Sequence, residues 1–280
     1  MPEFPEAETV RCQLAQAVTG AKIRGVAVHI GRAARNHESE EELEALVKGR
    51  TIREVGRRGK ALLLLLDGKK PSTLIIRLGM TGLINVVQKK EPLAKYTAGV
   101  IALTDGRQIR FLDQRQFGLM VARPGHDVDT MPEFDSYGPE PLSEAFTPEY
   151  LKQAFARRST NLEVTLMNQQ VIAGIGKIYA DEILFRAGLR PTRKANSLTG
   201  PMRQRLWQAA REVLAEACSF GGTTTPDETF RDMYGMPGRF QDRLFAYQRT
   251  GQPCRVCGTA IKRTPMPGAR GMHWCPRCQN

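Results

Sequence analysis

No apolar run in this chain is long enough to cross a bilayer. A membrane span takes about 20 consecutive apolar residues, whereas the longest run here, residues 61–66, is one Ala followed by five Leu. No membrane partner is expected. The opening Met-Pro-Glu-Phe-Pro-Glu lacks the positive and apolar regions of a secretory signal, so a cytoplasmic protein is expected. Acid is in deficit: 29 Asp and Glu against 41 Lys and Arg leave a formal charge of +12, with a pI near 9.7. Such a surplus suits a polyanionic partner such as nucleic acid, although a merely basic soluble protein would show it too. Cysteine is sparse, and four of the six stand as two CxxC pairs. In a reducing compartment such pairs hold metal and not disulfides. Internal repeats and low-complexity tracts are absent.

What is present changes character along the chain. At 280 residues, 41% of them hydrophobic, the chain has room for two domains and a small appendage. Val10, Leu14 and Val18 recur every four positions, which predicts a helix over 3–18, with Pro5 tolerated in its first turn and Gly20 ending it. The runs 22–30, 51–55, 61–66, 73–78, 83–87, 100–103, 108–112 and 119–123 are β-rich. Turn signals at Asp67-Gly68 and Asp105-Gly106 separate some of them, and one acidic helix, 40–48, intervenes. That order predicts a two-layer β-sandwich and not a parallel α/β sheet. A Pro-, Gly- and acid-rich linker follows at 132–148. Beyond it, helical spacing marks 151–157, 161–167, 177–187 and 198–218. Gly221-Gly222-Thr-Thr-Thr-Pro opens a polar stretch to Gln241, expected to be a mobile loop. The fold class expected is therefore α+β multidomain: a β-sandwich with an N-terminal helix over 1–135, a helical domain over 136–245 and a zinc ribbon finger over 246–280.

Cys254-x2-Cys257 is followed, after seventeen residues, by Cys275-x2-Cys278, the spacing of a four-thiolate zinc site built from two knuckles. Gly258 and Pro276 suit the ribbon turns. So short a segment cannot build a core of its own, so the one zinc ion is structural. The basic residues around it, Arg255, Lys262, Arg263, Arg270 and Arg277, could then face phosphate. Cys12 and Cys218 lie in helical segments as packing residues.

Removal of the initiator Met would free the secondary amine of Pro2, and a retained Met1 would block it. An α-amino group titrates near about 8, against about 10.4 for lysine, so much more of it is nucleophilic at neutral pH. Attack on a sugar C1′ would give an iminium. Glu3 and Glu6 follow in the first helical turn, where acids are routine capping residues and where one could also move protons to a sugar. Gly174-Ile-Gly176 lacks the third glycine of a dinucleotide fingerprint and reads better as a turn into a helix N-terminus that holds phosphate.

The opening Met-Pro-Glu-Phe-Pro-Glu-Ala-Glu-Thr-Val closely resembles the N-terminus of the bacterial formamidopyrimidine-DNA glycosylase (Fpg/Nei) family. Further matches follow in order: Gly-Arg-Arg-Gly-Lys at 56–60, Leu-Gly-Met-Thr-Gly at 78–82, Gly-Pro-Glu-Pro-Leu at 138–142, Ala-Gly-Ile-Gly-Lys-Ile-Tyr-Ala-Asp-Glu at 173–182, Gly-Gly-Thr-Thr at 221–224 and the terminal Cys-Pro-Arg-Cys-Gln. The resemblance implies a β-sandwich, a helix-two-turn-helix domain and a zinc finger, with double-stranded DNA carrying oxidised bases or abasic sites bound between the halves of a monomer in a bacterial, nucleoid-associated setting. It implies Pro2 as nucleophile, Glu3 as essential acid, Glu6 as its assistant and Lys60 beside the lesion. An extruded nucleotide leaves a hole. Met80 and Phe117 match residues that wedge into it, and Arg115 one that bonds the orphaned base. Arg270 and Tyr247 match residues of the finger region that approach the DNA backbone.

Several positions depart from the family pattern. Lys177 stands where a phosphate-binding asparagine is usual, and Glu163 where a lysine is usual, a reversal expected to weaken DNA binding. Arg77, counted with the DNA contacts, replaces a histidine. Tyr96-Thr-Ala-Gly replaces a Lys-His-Asp-His-like run, and Gln114 and Gln116 flank Arg115 in place of proline and arginine. The leading expectation is a bifunctional glycosylase/AP lyase of base excision repair that removes oxidised purines (8-oxoguanine, formamidopyrimidines) and cleaves the strand by β,δ-elimination. The alternatives are a paralog acting on oxidised pyrimidines or abasic sites, and a non-catalytic damaged-DNA binder.

Overall fold

The computed structural model describes residues 2–226, 230–266 and 271–280. The chain divides into two compact units. One is the chain up to Asp135 together with Phe220–Arg239, and the other is Ser136–Ser219 with Phe240–Asn280.

The first unit runs α1 (Phe4–Val18), β1 (Ile23–Val28), α2 (Glu40–Val47), β2 (Thr51–Arg58), β3 (Ala61–Asp67), β4 (Ser72–Arg77), β5 (Gly82–Gln88), β6 (Thr97–Leu103), β7 (Arg107–Asp113) and β8 (Leu119–Pro124). Its strands form two antiparallel four-stranded sheets, ordered β2-β3-β4-β8 and β1-β6-β7-β5. Period-2 alternation explains the layering. Leu62, Leu64 and Leu66 of β3 point to one face and meet Ile101, Leu103, Ile109 and Phe111 of the other sheet in a single core. Leu63, of opposite parity, is buried as well. A strand covered on both faces therefore reads as an unbroken apolar run. Val10, Leu14 and Val18 of α1 join the same core, which accounts for their four-residue spacing. Cys12, expected to pack, lies instead on the exposed side of α1.

The segment 221–241, expected as a mobile loop, differs from that reading in its described residues. Phe230 and Met233 enter the sandwich core. Gln13 of α1 accepts from the Met233 amide at 3.0 Å and donates to Asp232 at 2.7 Å. Polar composition concealed two buried anchors.

The second unit contains α3 (Pro148–Phe155), α4 (Leu162–Met167), α5 (Lys177–Ala187), α6 (Gly200–Ser219) and a hairpin of β9 (Lys262–Pro265) and β10 (Gly271–Trp274). Nine of the eleven residues of α5 are buried, so it is the unit's central helix. The connection from α4 to α5 is held from inside by one side chain. Gln169 donates to the carbonyls of Met167 and Ile175 and accepts from the Gly174 amide. Tyr150 of α3 donates to the Val171 carbonyl, and the Gly138 amide donates to that of Gln169. These bonds give a structural reason for both the 138–142 and the 173–182 motifs. Among the described residues, no helix is long and apolar enough to cross a membrane.

Candidate functional site

Pro2, Glu3 and Glu6 gather at the head of α1, and all three are buried. The first turn is organised by Glu6. Its Oε2 accepts from the Glu3 amide at 2.8 Å, and its Oε1 accepts from the Thr223 amide at 2.6 Å. One oxygen thus holds the N-cap amide of α1, as in a capping box, and the other holds a backbone amide of the segment that follows α6. Gly222 lies against this carboxylate at φ +79°, where an added Cβ would sit 2.5 Å from Glu6 Oε1. The Gly-Gly-Thr-Thr motif is therefore the backbone cradle of Glu6.

Lys60 stands in the two-residue turn between β2 and β3, where Arg58 pairs with Ala61. Arg57 ties that turn to α1. Its guanidinium lies 3.8 Å from the Phe4 ring centroid, bonds Glu8 at 3.0 Å and donates to the Gly59 carbonyl at 2.8 Å. One arginine thus fixes the first turn of α1 and the lysine turn to each other. Two cations beside Glu8, Arg11 and Arg57, overcome its partial burial and hold its carboxyl below the ordinary range.

Met80, Arg115 and Phe117 come together on two adjoining loops. Gly79, at φ +65°, packs so closely that a Cβ there would sit 2.7 Å from the Gly118 amide. Buried Asp113 clamps the loops. Its Oδ1 accepts from the Thr81 hydroxyl at 2.7 Å and its Oδ2 from the Gly118 amide at 2.6 Å, while Thr81 Oγ1 accepts from the Arg115 amide at 3.0 Å. Gln116 sits at φ +57° between Arg115 and Phe117, an αL position that turns the two flanking side chains outward. Arg115 lies 5.3 Å from the Phe117 ring, which is 45% exposed. An exposed aromatic beside a cation can enter a base stack. Arg77 is engaged within its own unit, donating to the Glu133 carbonyl at 2.6 Å and lying 5.5 Å from the Phe134 ring. Tyr96 adopts φ +65° at the surface.

In the second unit Lys177 is the first residue of α5, and its ammonium is shared by two carboxylates. Glu163 Oε1 of α4 lies 2.9 Å away, and Asp181 Oδ2, one turn along α5, is bonded to it as well. Glu163, expected to present a reversed charge to DNA, is fully buried and faces this ammonium instead. Burial and the neighbouring Asp181 charge push its carboxyl up to about 8. Burial likewise pushes Asp181 up to about 7, against the pull of Lys177. Asp181 also accepts from the His273 amide at 3.1 Å and lies 2.7 Å from His273 Nδ1. Burial and the Lys177 charge push that imidazole down to about 4, so it is neutral at physiological pH. The next residue, Glu182, accepts from the amides of Phe245, Ala246 and Tyr247 at 2.8, 2.9 and 2.8 Å. The Tyr247 ring lies 5.6 Å from the Lys177 ammonium and meets His273 edge-on. Arg270 lies outside the described residues.

The four cysteines of the finger converge. The Sγ atoms of Cys254, Cys257, Cys275 and Cys278 all lie within 4.8 Å of one another. Two of the pairs are at 3.9 and 3.5 Å. A tetrahedral ion with Zn–S bonds of about 2.3 Å sets its sulfurs about 3.8 Å apart, so the donor set fits zinc in number, kind and spacing. Gln279 braces the second knuckle, accepting from the Cys275 amide at 2.8 Å and donating to the Leu189 carbonyl at 2.9 Å.

Sequence reasoning missed the supporting residues: Asp113 and Thr81 under the loop pair, Arg57 between α1 and the lysine turn, Gln169 in the interhelical turn and Glu182 under Tyr247. A polar residue whose purpose is to accept backbone amides far along the chain has no local signature. Glu182 shares α5 with Asp181 and has Arg186 four residues on, so it reads in sequence as an ordinary helix acid with a local partner.

Comparison with known proteins places these features in one family. Residues 1–120 match the formamidopyrimidine-DNA glycosylase N-terminal domain, 137–229 the formamidopyrimidine-DNA glycosylase H2TH domain and 251–280 the zinc finger found in FPG and IleRS. The chain is 40% identical over 279 residues to the formamidopyrimidine-DNA glycosylase of Geobacillus kaustophilus, covering 100% of each chain. It is 42% identical over 282 residues to that of Heliobacterium modesticaldum, again covering 100% of each. Among solved structures, it is similar to the MutM (Fpg) protein of Thermus thermophilus, with TM-score 0.87 and 41% identity over 99% of this chain and 98% of that one. It is also similar to Lactococcus lactis Fpg in complex with abasic-site DNA, with TM-score 0.88 and 29% identity over 99% of both chains. The cysteine cluster is accordingly the site of one structural zinc ion. With the β-sandwich, helix-two-turn-helix and finger all in place, the chain belongs to the formamidopyrimidine-DNA glycosylase family.

Proposed function

We propose that the protein is a bifunctional DNA glycosylase and AP lyase of base excision repair that acts as a monomer on double-stranded DNA carrying oxidised purines. The observation that carries the reading is the head of α1. Glu6 gives both oxygens to backbone amides, while Glu3, which accepts the Glu6 amide in a capping box, stands directly beside the Pro2 amine and is the carboxyl of that turn placed to handle the proton. The Pro2 amine attacks C1′ of the extruded nucleotide, the C1′–N bond breaks and the base leaves with a proton; the C1′–O4′ bond then opens, O4′ taking a proton from the Glu3 carboxyl, to leave an iminium between C1′ and the Pro2 nitrogen. The resulting iminium acidifies C2′, whose deprotonation expels the 3′ phosphate; a second elimination expels the 5′ phosphate. Lys60 supplies a cation beside the sugar phosphate, while Met80, Arg115 and Phe117 fill the vacated stack. Lys177, Tyr247 and Arg270 hold the backbone. The zinc ion takes no part in the chemistry; it supplies the folding energy of the finger.

Borohydride trapping tests this on three labelled duplexes, bearing 8-oxoguanine opposite cytosine, an oxidised pyrimidine, or an abasic site. Trapping on the first and third is expected. Pro2→Gly should lower the adduct rate at least tenfold, and an unchanged rate would remove Pro2 from the reaction. Trapping on the abasic duplex alone would make this a lyase-biased paralog. The reading as a binder without turnover rested on the departures at Glu163 and Lys177; Glu163 is buried and faces the Lys177 ammonium.

A further inference from the structure

Residues 183–211 carry seven Lys and Arg and no Asp or Glu. Four of these cations are engaged within the second unit. Arg186 pairs with Glu212 and Glu216, while Arg203, Arg205 and Arg211 donate to the carbonyls of Leu198, Ala187 and Ser143. The other three, Arg190, Arg193 and Lys194, line one cavity of about 490 Å³ together with Thr192, Ser197 and Asn280. No carboxylate among the described residues pairs with any of the three. The single acid of the segment 158–163 packed on this turn, Glu163, gives its carboxyl to Lys177 instead. The Nε of Arg193 is buried without a hydrogen-bond partner, and the rest of its guanidinium meets no acceptor among the described residues. A buried donor left unmade is costly, and an anion in the cavity would satisfy it. Arg190 lies 4.4 Å from the Trp274 ring centroid, a contact that offers its N–H donors no oxygen.

The turn is held in place by backbone bonds. The Arg193 amide donates to the Arg190 carbonyl at 3.1 Å and its carbonyl accepts from the Leu162 amide at 2.7 Å, while the Ala195 amide donates to the Thr160 carbonyl at 3.1 Å and the Arg190 amide to that of Asn280 at 3.3 Å. Like charges fixed side by side repel one another until an anion joins them. We propose that Arg190, Arg193 and Lys194 form a binding site for a multiply charged phosphate group. It is separate from the backbone contact read at Lys177, which opens α5, whereas this turn follows the last residue of that helix. The phosphate comes either from a free oligophosphate or from a nucleic-acid backbone. None of the residues lining the cavity is aromatic, so no base can stack there and recognition is of phosphate alone.

The test is calorimetric titration of the full-length, zinc-loaded protein with inorganic pyrophosphate, at an ionic strength fixed with sodium chloride and with zinc content measured before and after. The wild type should show saturable binding that Arg193→Gln weakens at least about tenfold, as loss of a charge-assisted contact requires. Lys194→Gln alters an exposed side chain, should weaken binding about threefold, and serves if Arg193→Gln does not fold. Equal affinity in the wild type and a folded variant, or no saturable binding by the wild type, would overturn the inference. Repeating the titration on protein saturated with a tetrahydrofuran-containing duplex separates the two sources. Unchanged pyrophosphate affinity would assign the site to a free oligophosphate, and competition that Arg193→Gln abolishes would assign it to a nucleic-acid backbone. No arm reads base excision or strand cleavage, so failure of this site would leave the proposed repair chemistry standing.

Discussion

At the level of single residues, the head of α1 depends on acceptors that lie far apart in sequence. Glu6→Gln places an amide N–H₂ against one of two backbone donors. The mismatch should cost about 1–3 kcal/mol and free the 221–226 segment, lowering base excision more than abasic-site lyase activity. Stability is read by denaturant melts, and the two activities by gel assay on 8-oxoguanine and abasic duplexes. Gly222→Ala should reproduce the defect, because its Cβ would overlap the same carboxylate at a backbone angle alanine resists. If excision and stability both survive Gly222→Ala, the cradle is not needed. The sequence showed Pro2, Glu3 and Glu6 as a group because they are neighbours in one helical turn. It could not show that Glu6 faces Thr223, since a contact across more than two hundred residues leaves no spacing to read.

At the level of elements, α5 carries two adjacent acids with opposite commitments. Glu182 accepts three backbone amides from the 245–247 segment, so Glu182→Gln should release Tyr247 and weaken DNA binding several-fold without altering Pro2 chemistry on bound abasic DNA. A single-turnover rate that falls as far as the affinity would contradict this. Glu163 has a pH signature. Its folded carboxyl holds a proton to about 8, while an unfolded one releases it near the ordinary 4.5. Its stabilising contribution is thus fully present below about 4.5 and is lost as pH rises to about 8. Glu163→Gln should therefore flatten the decline of melting temperature over that window; a parallel decline would show that Glu163 does not titrate there. Helix α5 was legible at both ends because apolar periodicity and Gly188 bound it. The buried side of Glu163 was not, since a charged residue in a helix is read as solvent-facing unless its partner is known, and that partner lies on another helix.

At the level of the whole molecule, the +12 charge and the zinc finger set the expected responses to salt and chelator. Affinity for a non-specific duplex should fall by roughly a hundredfold or more between about 50 and 200 mM salt, as counterion release requires. Weak salt dependence would mean the basic surplus does not contact phosphate. Chelation should melt the β9–β10 hairpin and abolish binding, because the finger's core is a few residues around Cys254, Ile261 and Cys275. The β-sandwich has its own core and should persist in circular dichroism. Its strands were readable from alternation and turns, but the return of 220–239 to pack on α1 was hidden in a polar segment whose anchors are only Phe230 and Met233.

The measurement that bears most directly on the proposed chemistry is peptide mapping of the borohydride-trapped adduct. The sugar-derived mass is expected on the peptide that begins at Pro2, attached through its ring nitrogen. An adduct on Lys60 or any other lysine, with Pro2 unmodified, would contradict it.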